Sequence, residues 1–475
     1  MLTAQGYLAP RTSTDELQRL LKELTVTPIV AVNMGPKPNS FKLYVEIVDK
    51  KIEGKKEYYV PRYFGLQRFG VPAIDTLSEG TLVECEFEGR LRQEQEGPVR
   101  AFLKAANDPL KRGGIISLSC GQGKTVISLY LLAKMKRKTM IVVHKDFLLN
   151  QWRDRIASFL TGVRIGLIKG PTIDVKDKDV VLASVQSLSM KTYDDEIFDG
   201  ISFLIVDECH RIGTEVFSRA LQKRTFKYNL GLSATVNRKD GMTRVFTNYL
   251  GDVVYQGQPR VDTVHVHQER FYDEDPSYSR EVLIPRVNKP NISRMINQIC
   301  TFERRNLLIA DWISKILVED DRKVLVLSDR KEQLSLIKDL LTAMNIESGY
   351  YYGGLKAQEL AESETKTVLL ATFAYAAEGM DCKGLDSLVL ASPKSDIEQS
   401  CGRILREREK DRVRTPLIFD IVDAFSLFEN QGRKRRAYYK KNNYTINSQS
   451  PRSPRSQPRS RDEDCQTTLQ AYGFR

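Results

Sequence analysis

Between residues 113 and 232 the chain repeats one unit, a short and nearly continuous apolar run followed by a stretch with helical spacing. The runs fall at 115–118, 140–143, 165–168, 180–183, 203–206 and 230–232, and residues 126–135 read as the helix after the first. Runs apolar on both sides belong to strands covered on both faces, so a parallel sheet with helices above and below is predicted. The alternation starts again after residue 300. Runs at 324–327, 350–352, 368–371, 388–391 and 417–421 alternate with helical spacing over 304–317 and 333–341. Two α/β units are therefore expected, at 89–255 and 301–430.

The flanking segments follow other patterns. Ser13-Thr14-Asp15-Glu16 has capping-box spacing, and Leu17, Leu20, Leu21 and Leu24 mark one helical face behind it. Phe41, Leu43, Val45 and Ile47 then alternate with polar residues, so residues 1–88 read as a small accessory α+β domain without a catalytic constellation. Residues 256–300 lack a sustained period and carry Pro259, Pro276, Pro285 and Pro290; they read as a connector, either plain or holding a small inserted element, with His265 and His267 as exposed strand positions. Residues 431–475 read as a basic tail, and Pro451, Pro454 and Pro458 among serines and arginines mark its disordered part.

At 475 residues the chain exceeds one ordinary core, which agrees with several domains. No run approaches the roughly 18 apolar residues of a membrane span, and residues 1–10 have no signal pattern, so an intracellular protein, nuclear or cytoplasmic, without a membrane partner is expected. Seven cysteines without a C-x-x-C pair, with only four histidines, point to neither a disulfide framework nor a zinc site. Net charge is +12, but residues 433–475 alone hold eleven Lys and Arg against three Asp and Glu. The body is close to neutral. Nucleic-acid affinity in the folded part must then come from a local groove, to which a basic tail adds salt-sensitive attraction.

The candidate chemistry starts at Ser119-Cys120-Gly121-Gln122-Gly123-Lys124-Thr125, placed between an apolar run and a helix start. Such a loop points backbone N–H groups at an anion and adds the positive end of the helix. Lys124 reaches terminal phosphates, and Thr125 holds Mg2+ through its hydroxyl. The strict phosphate-loop pattern has glycine where Leu118 stands. Asp207-Glu208 closes the run at 203–206, at the carboxyl end of a strand where ligands of parallel sheets bind. Asp207 is placed to hold Mg2+ through water and Glu208 to deprotonate the attacking water. Ser233-Ala234-Thr235 follows the run at 230–232. Near the far end, Gln399-Ser400-Cys401-Gly402-Arg403-Ile404-Leu405-Arg406 spaces two arginines for one helix face. NTP hydrolysis is the reading these residues support.

Over residues 85–425 the motifs, in this order, resemble those of the superfamily 2 DNA helicases, in the branch of XPB and UvsW and of large nucleocytoplasmic DNA viruses, including the poxvirus transcript-release helicase. Leu91-Arg92-Gln93-Glu94-Gln95 looks like the motif ahead of the phosphate loop, 144–152 like motif Ia, 183–188 like the next nucleic-acid-contacting motif, and Asp207-Glu208-Cys209-His210 like motif II. Residues 233–235, 324–330, 371–381 and 399–406 look like motifs III, IV, V and VI. The resemblance implies two RecA-like lobes binding ATP between them, with Arg92, Gln95, Gly379 and Asp381 at the nucleotide. It places Gln399 near the terminal phosphate and attacking water, and assigns Arg403 and Arg406 as arginine fingers, a device worth roughly 10³ to 10⁵ in rate. Lys145, Gln151, Trp152, Gln186, Ser233, Ala234, Thr235, Arg238, Asp240, Arg330 and Thr372 are implied at the nucleic acid or in its coupling to ATP.

Lys239 stands where XPB has an acidic residue, a charge reversal that bears on strand separation. The implied function is an ATP-dependent DNA helicase or translocase of transcription, repair or recombination, with RNA or RNA–DNA hybrid as other substrates and the transcription machinery as a partner. Translocation along duplex without unwinding is the alternative enzyme. A non-catalytic scaffold is the alternative class, against which Lys124, Asp207, Glu208, Arg403 and Arg406 all stand. A viral member would work in the host cytoplasmic factory or the virion. In the tail, Arg433-Lys434-Arg435-Arg436 reads as a nuclear address or phosphate patch. Gln466, Leu469, Tyr472 and Phe474 resemble a degenerate sliding-clamp-binding motif, with Gly473 in place of the second aromatic.

Overall fold

The computed structural model describes residues 1–28, 39–48, 56–119, 121–212, 215–234, 242–258, 262–286, 288–380, 382–407 and 409–448. Two compact units, Met1–Gln258 and Pro259–Arg475, divide the chain. Among the described residues no helix is long and apolar enough to cross a membrane.

The first unit is built on eight strands in the order Thr172–Asp174, Ile165–Lys169, Val180–Ser184, Thr139–Val143, Phe203–Val206, Tyr228–Ser233, Gly113–Ser117, Val253–Gln256. Every neighbouring pair is parallel except the Thr172–Asp174 edge. All residues of the five strands beginning at Gly113, Thr139, Val180, Phe203 and Tyr228 are buried, as the continuous apolar runs require. Tyr228–Ser233 separates the two strands that carry the candidate chemistry, pairing Val206 with Gly231 on one side and Ser117 with Ser233 on the other. Two interstrand spacings place those strand ends about 10 Å apart. Close packing at the start of Gly113–Ser117 demands glycine: Gly113 has φ +136°, and a Cβ there would lie 2.0 Å from the Asn229 carbonyl oxygen.

The amino-terminal segment has the expected helix, Thr14–Glu23, capped by Ser13 Oγ accepting from the Glu16 N–H at 3.3 Å. It also has an antiparallel sheet of Leu2–Thr3, Gly6–Leu8, Lys56–Val60 and Val45–Val48. Its core is continuous with that of the large sheet. Tyr7, Leu24, Phe41 and Phe64 belong to one buried cluster with Ile115, Met140, Val206 and Phe246. Arg62, 2% exposed, donates to the carbonyls of Phe226 and Lys227 at 3.2 and 2.6 Å, just ahead of Tyr228–Ser233.

The second unit holds seven parallel strands in the order Ser348–Tyr351, Val368–Thr372, Val324–Ser328, Ser387–Leu390, Leu417–Asp423, His265–Phe271, Thr445–Ser448. This corrects three expectations. The stretch expected as a connector contributes His265–Phe271, paired along its whole length with Leu417–Asp423. No apolar run marks it because its inward polar residue is satisfied: Gln268 is buried and donates to Asp420 Oδ2 at 3.0 Å. Nor is His267 an exposed position; it is half-buried and stacks on Phe419 with ring centres 5.4 Å apart. The basic tail, for its part, begins inside the fold. The helix Phe428–Lys441 carries six of the eleven basic residues, and Thr445–Ser448 closes the sheet edge. The clamp-like residues Gln466, Leu469, Tyr472 and Phe474 lie outside the described residues.

Two buried charge networks sit on Leu417–Asp423. Asp420 accepts from Arg435 Nε at 2.8 Å and, through its other oxygen, from Gln268 and Tyr439, each at 3.0 Å. Asp423 accepts from Arg305 Nε at 2.7 Å and Nη2 at 3.1 Å, and from the Tyr278 hydroxyl at 2.9 Å. Arg435 is thus a structural counter-ion and not part of a free patch. Removing one partner of a buried pair strands the other charge, so Arg435→Ala is expected to cost about 3–5 kcal/mol in denaturant unfolding. Arg219→Ala, which removes only the exposed ion pair with Glu215, should leave the midpoint within error of wild type.

Candidate nucleotide site

The phosphate loop is held from both sides. Leu118 N–H donates to the Ser233 carbonyl at 2.9 Å, and Ser119 N–H donates to Gln122 Oε1 at 2.8 Å. Gly121 and Gly123 both have φ +80°, a region glycine enters without strain, and Gly123 caps the helix Lys124–Met135. Leu118 takes the place of the pattern's glycine because Gly257 makes room: a Cβ on Gly257 would lie 2.6 Å from Leu118 Cδ2. Gln95, 1% exposed, lies directly against the loop, since a Cβ on Gly123 would come 2.1 Å from its Nε2. Its Oε1 accepts from the Arg92 N–H at 2.9 Å, while the Arg92 side chain is exposed. Cys120 lies outside the described residues.

Lys124 Nζ donates to the Leu118 carbonyl at 3.2 Å and stands 3.5 Å from Glu208 Oε1. Glu208 has φ +47°, a left-handed conformation that is costly for a residue with a Cβ. Its Oε2 is 3.2 Å from His210 Nδ1, which is 3.0 Å from Ser233 Oγ. A polar chain thus runs from lysine through glutamate and histidine to the fully buried Ser233 of the next strand. Asp207 accepts from the Trp152 indole through Oδ2 at 3.0 Å and from the Glu208 N–H through Oδ1 at 2.9 Å. Burial, and then the Glu208 charge, push its pKa above the usual carboxylate range. Burial likewise pushes the Cys209 thiol up, so it is a packed apolar group and not a reactive one.

The residues implied at nucleic acid divide. Trp152 is not a surface contact: the helix Asp146–Phe159 buries Leu148, Leu149, Trp152 and Ile156 on one face, which turns the indole inward to Asp207. Lys145 and Gln151 are half-buried at that helix, and Gln186 is exposed, with Nε2 donating to the His144 carbonyl at 2.8 Å. Ala234 is half-buried after the strand, whereas Thr235, Arg238, Lys239 and Asp240 lie outside the described residues.

In the second unit the expected helix face at 399–406 does not form. The helix Glu398–Cys401 ends where Arg403 and Ile404 make i→i−3 bonds to Ser400 and Cys401. The arginines converge all the same. Arg403 Nη1 donates to the Met380 carbonyl at 2.9 Å, and Arg406 Nη2 donates to the same oxygen. Met380 caps the helix Phe373–Gly379, which Thr372 precedes; Asp381 lies outside the described residues. Gln399 is half-buried. Arg330 is engaged inside its own unit, donating to Asn297 Oδ1 and, at 3.1 Å, to Ser293 Oγ on the helix Ile292–Thr301.

The donor set fits Mg2+. An oriented carboxylate, Asp207, and the hydroxyl of Thr125 in the first helical turn are hard oxygen ligands of the kind Mg2+ takes singly, with phosphate and water supplying the rest. Among the described residues no group of three or more His, Cys, Asp or Glu could hold a metal alone.

Two RecA-like α/β units, the first with a phosphate loop beside an acidic strand end, define a nucleotide hydrolase of the tandem-lobe type. A family model described as the res subunit of type III restriction enzymes matches residues 88–238. A protein of Acanthamoeba polyphaga mimivirus, provisionally named an ATP-dependent RNA helicase, is 32% identical over 460 residues, covering 94% of this chain and 86% of the relative. One of African swine fever virus, named in the same way, is 23% identical over 389 residues, covering 77% and 75%. The solved structure of a Saccharomyces cerevisiae Dbp5 variant with RNA and ADP–beryllium fluoride shares the fold, with TM-score 0.51 and 13% identity over 80% of this chain and 98% of the other. The chain belongs to the superfamily 2 helicases, among the relatives of large DNA virus helicases, and is an ATP-dependent helicase of that type. Because a Cβ at position 123 meets both a left-handed φ and Gln95, Gly123→Ala is expected to lower affinity for a fluorescent ATP analogue by at least about tenfold, read by anisotropy, without loss of the folded state.

Proposed function

We propose that this protein couples ATP hydrolysis to movement along DNA, separating strands during transcription, repair or recombination. The observation that carries the reading is Glu208, held in a strained backbone conformation 3.5 Å from Lys124 at the mouth of the phosphate loop. Lys124 binds the terminal phosphate, and Glu208 takes the proton of the attacking water, with His210 orienting its second oxygen. Thr125 through its hydroxyl and Asp207 through water would hold Mg2+, which when bound would neutralise charge developing on the phosphates. Arg403 and Arg406, already gathered on one carbonyl, act as fingers when the second lobe closes. Lys145, Gln151 and Gln186, on segments joined by the Gln186–His144 bond, contact the phosphodiester backbone at the ends of their strands.

A second reading takes RNA as the substrate, favoured by the RNA-helicase names of the mimivirus and African swine fever virus relatives. Glu208→Gln and Arg406→Ala are each expected to retain ATP binding and lose at least about a hundredfold in turnover, by the size of general-base and arginine-finger contributions. Unchanged turnover in both removes the site assignment. ATPase rates with single-stranded DNA, duplex DNA, RNA and hybrid separate the substrates: strongest stimulation by DNA supports the reading, and stimulation by RNA alone replaces it. A fluorescent unwinding assay beside triplex displacement then separates helicase from duplex translocase.

A further inference from the structure

A carboxylate that holds a metal through water must keep its orientation in the metal's presence and absence, and each of its oxygens needs a donor to do so. For Asp207 the two donors come from different places. Oδ1 is served by the backbone N–H of Glu208, a product of the local left-handed turn. Oδ2 is served by a side chain 55 residues earlier, the Trp152 indole. Packing alone does not call for an indole there, since Leu148, Leu149 and Ile156 supply the same helix face with aliphatic groups. What tryptophan adds is a donor-only N–H on a rigid ring, 2% exposed, aimed at a buried acceptor.

We propose that Trp152 is the positioning residue for Asp207, and that through it the helix Asp146–Phe159 ties the Mg2+–nucleotide site to whatever binds at the helix's leading end. That helix is one rigid element. Lys145 precedes its first residue, and seven residues on, about 10 Å along the axis, stands Trp152. The leading end is itself fixed to a second segment: Gln186, exposed after Val180–Ser184, donates to the carbonyl of His144. A polyanion engaging Lys145 and Gln186 therefore acts at one end of a helix that also reaches the Asp207 carboxylate through Trp152. By linkage, nucleotide and polyanion then favour each other's binding to the same degree. Deprived of the indole N–H, Asp207 Oδ2 loses its side-chain donor, while Oδ1 keeps the Glu208 N–H. The inference rests on the nucleotide-site reading above.

The test replaces Trp152 in the full chain with benzothienylalanine, which keeps the ring shape and lacks the N–H; Trp152→Phe serves as a second variant. Binding of a fluorescent ATP analogue is followed while Mg2+ is titrated, with and without a single-stranded oligonucleotide. Wild-type protein is expected to bind the analogue more tightly as Mg2+ rises and more tightly again with oligonucleotide. In the isostere the half-saturating Mg2+ concentration should rise about 10- to 100-fold, the usual cost of losing an outer-shell partner. Its Mg2+-free nucleotide affinity and melting temperature should match wild type, and the gain from oligonucleotide should shrink. An isostere with wild-type Mg2+ dependence and wild-type oligonucleotide gain overturns the positioning role while leaving the nucleotide site intact. Wild-type protein that binds no nucleotide at any Mg2+ concentration overturns the site reading, and this proposal with it.

Discussion

The first lobe depends on the parallel pairing of three strand ends. Gly113–Ser117, Tyr228–Ser233 and Phe203–Val206 lie side by side with carboxyl ends level, so the phosphate loop, Ser233 and the two carboxylates open onto one edge of the sheet. Parallel strands need crossover connections, and the helices of those crossovers cover both faces. The wrapping that buries the strands therefore also presents their ends to solvent. The polar features of the site follow from that constraint: the Leu118–Ser233 backbone bond and the His210–Ser233 contact bridge neighbouring strand ends, and the Lys124–Glu208 approach spans the strand between them.

The second lobe solves a related problem with buried charge. Leu417–Asp423 carries Asp420 and Asp423 into the interior, where each is compensated by an arginine from a helix, Arg435 or Arg305, and by a tyrosine hydroxyl. Such pairs contribute little net stability against an apolar alternative. They do impose a unique arrangement, because shifting either helix would strand a charge. Helix Phe428–Lys441 and the strand after it are fixed in this way, as is helix Glu303–Glu319 on the other side. The same lobe gathers Arg403 and Arg406 on Met380, so the two motifs that carry family chemistry meet at one carbonyl oxygen.

The amino-terminal segment is less separate than its change of sequence period suggests. Its apolar residues complete a core that the large sheet alone leaves uncovered, and Arg62 grips the backbone leading into Tyr228–Ser233. That strand is the one between the phosphate loop and the carboxylates. The segment therefore braces the site's central strand from the end opposite the chemistry.

The sequence by itself determined the α/β architecture, the buried strands and the phosphate loop with its two carboxylates. Each is written in adjacent residues: an apolar run, a glycine turn, an acidic pair. That the strand at His265–Phe271 joins the second sheet, and that Thr445–Ser448 closes its edge, escaped that reading because polar-satisfied and edge strands carry no apolar run. Gln268 reads as a surface residue until Asp420 is set beside it. Trp152 looks like part of a nucleic-acid motif until the helix is laid on its sheet and the indole meets Asp207. Likewise 399–406 reads as one helix, yet only the fold reveals that the helix stops at Cys401 and that a shared carbonyl, not a shared helix face, aligns the arginines. Local pattern encodes what a residue's neighbours in the chain require. Which distant donor answers a buried acceptor is decided only when the strands and helices pack.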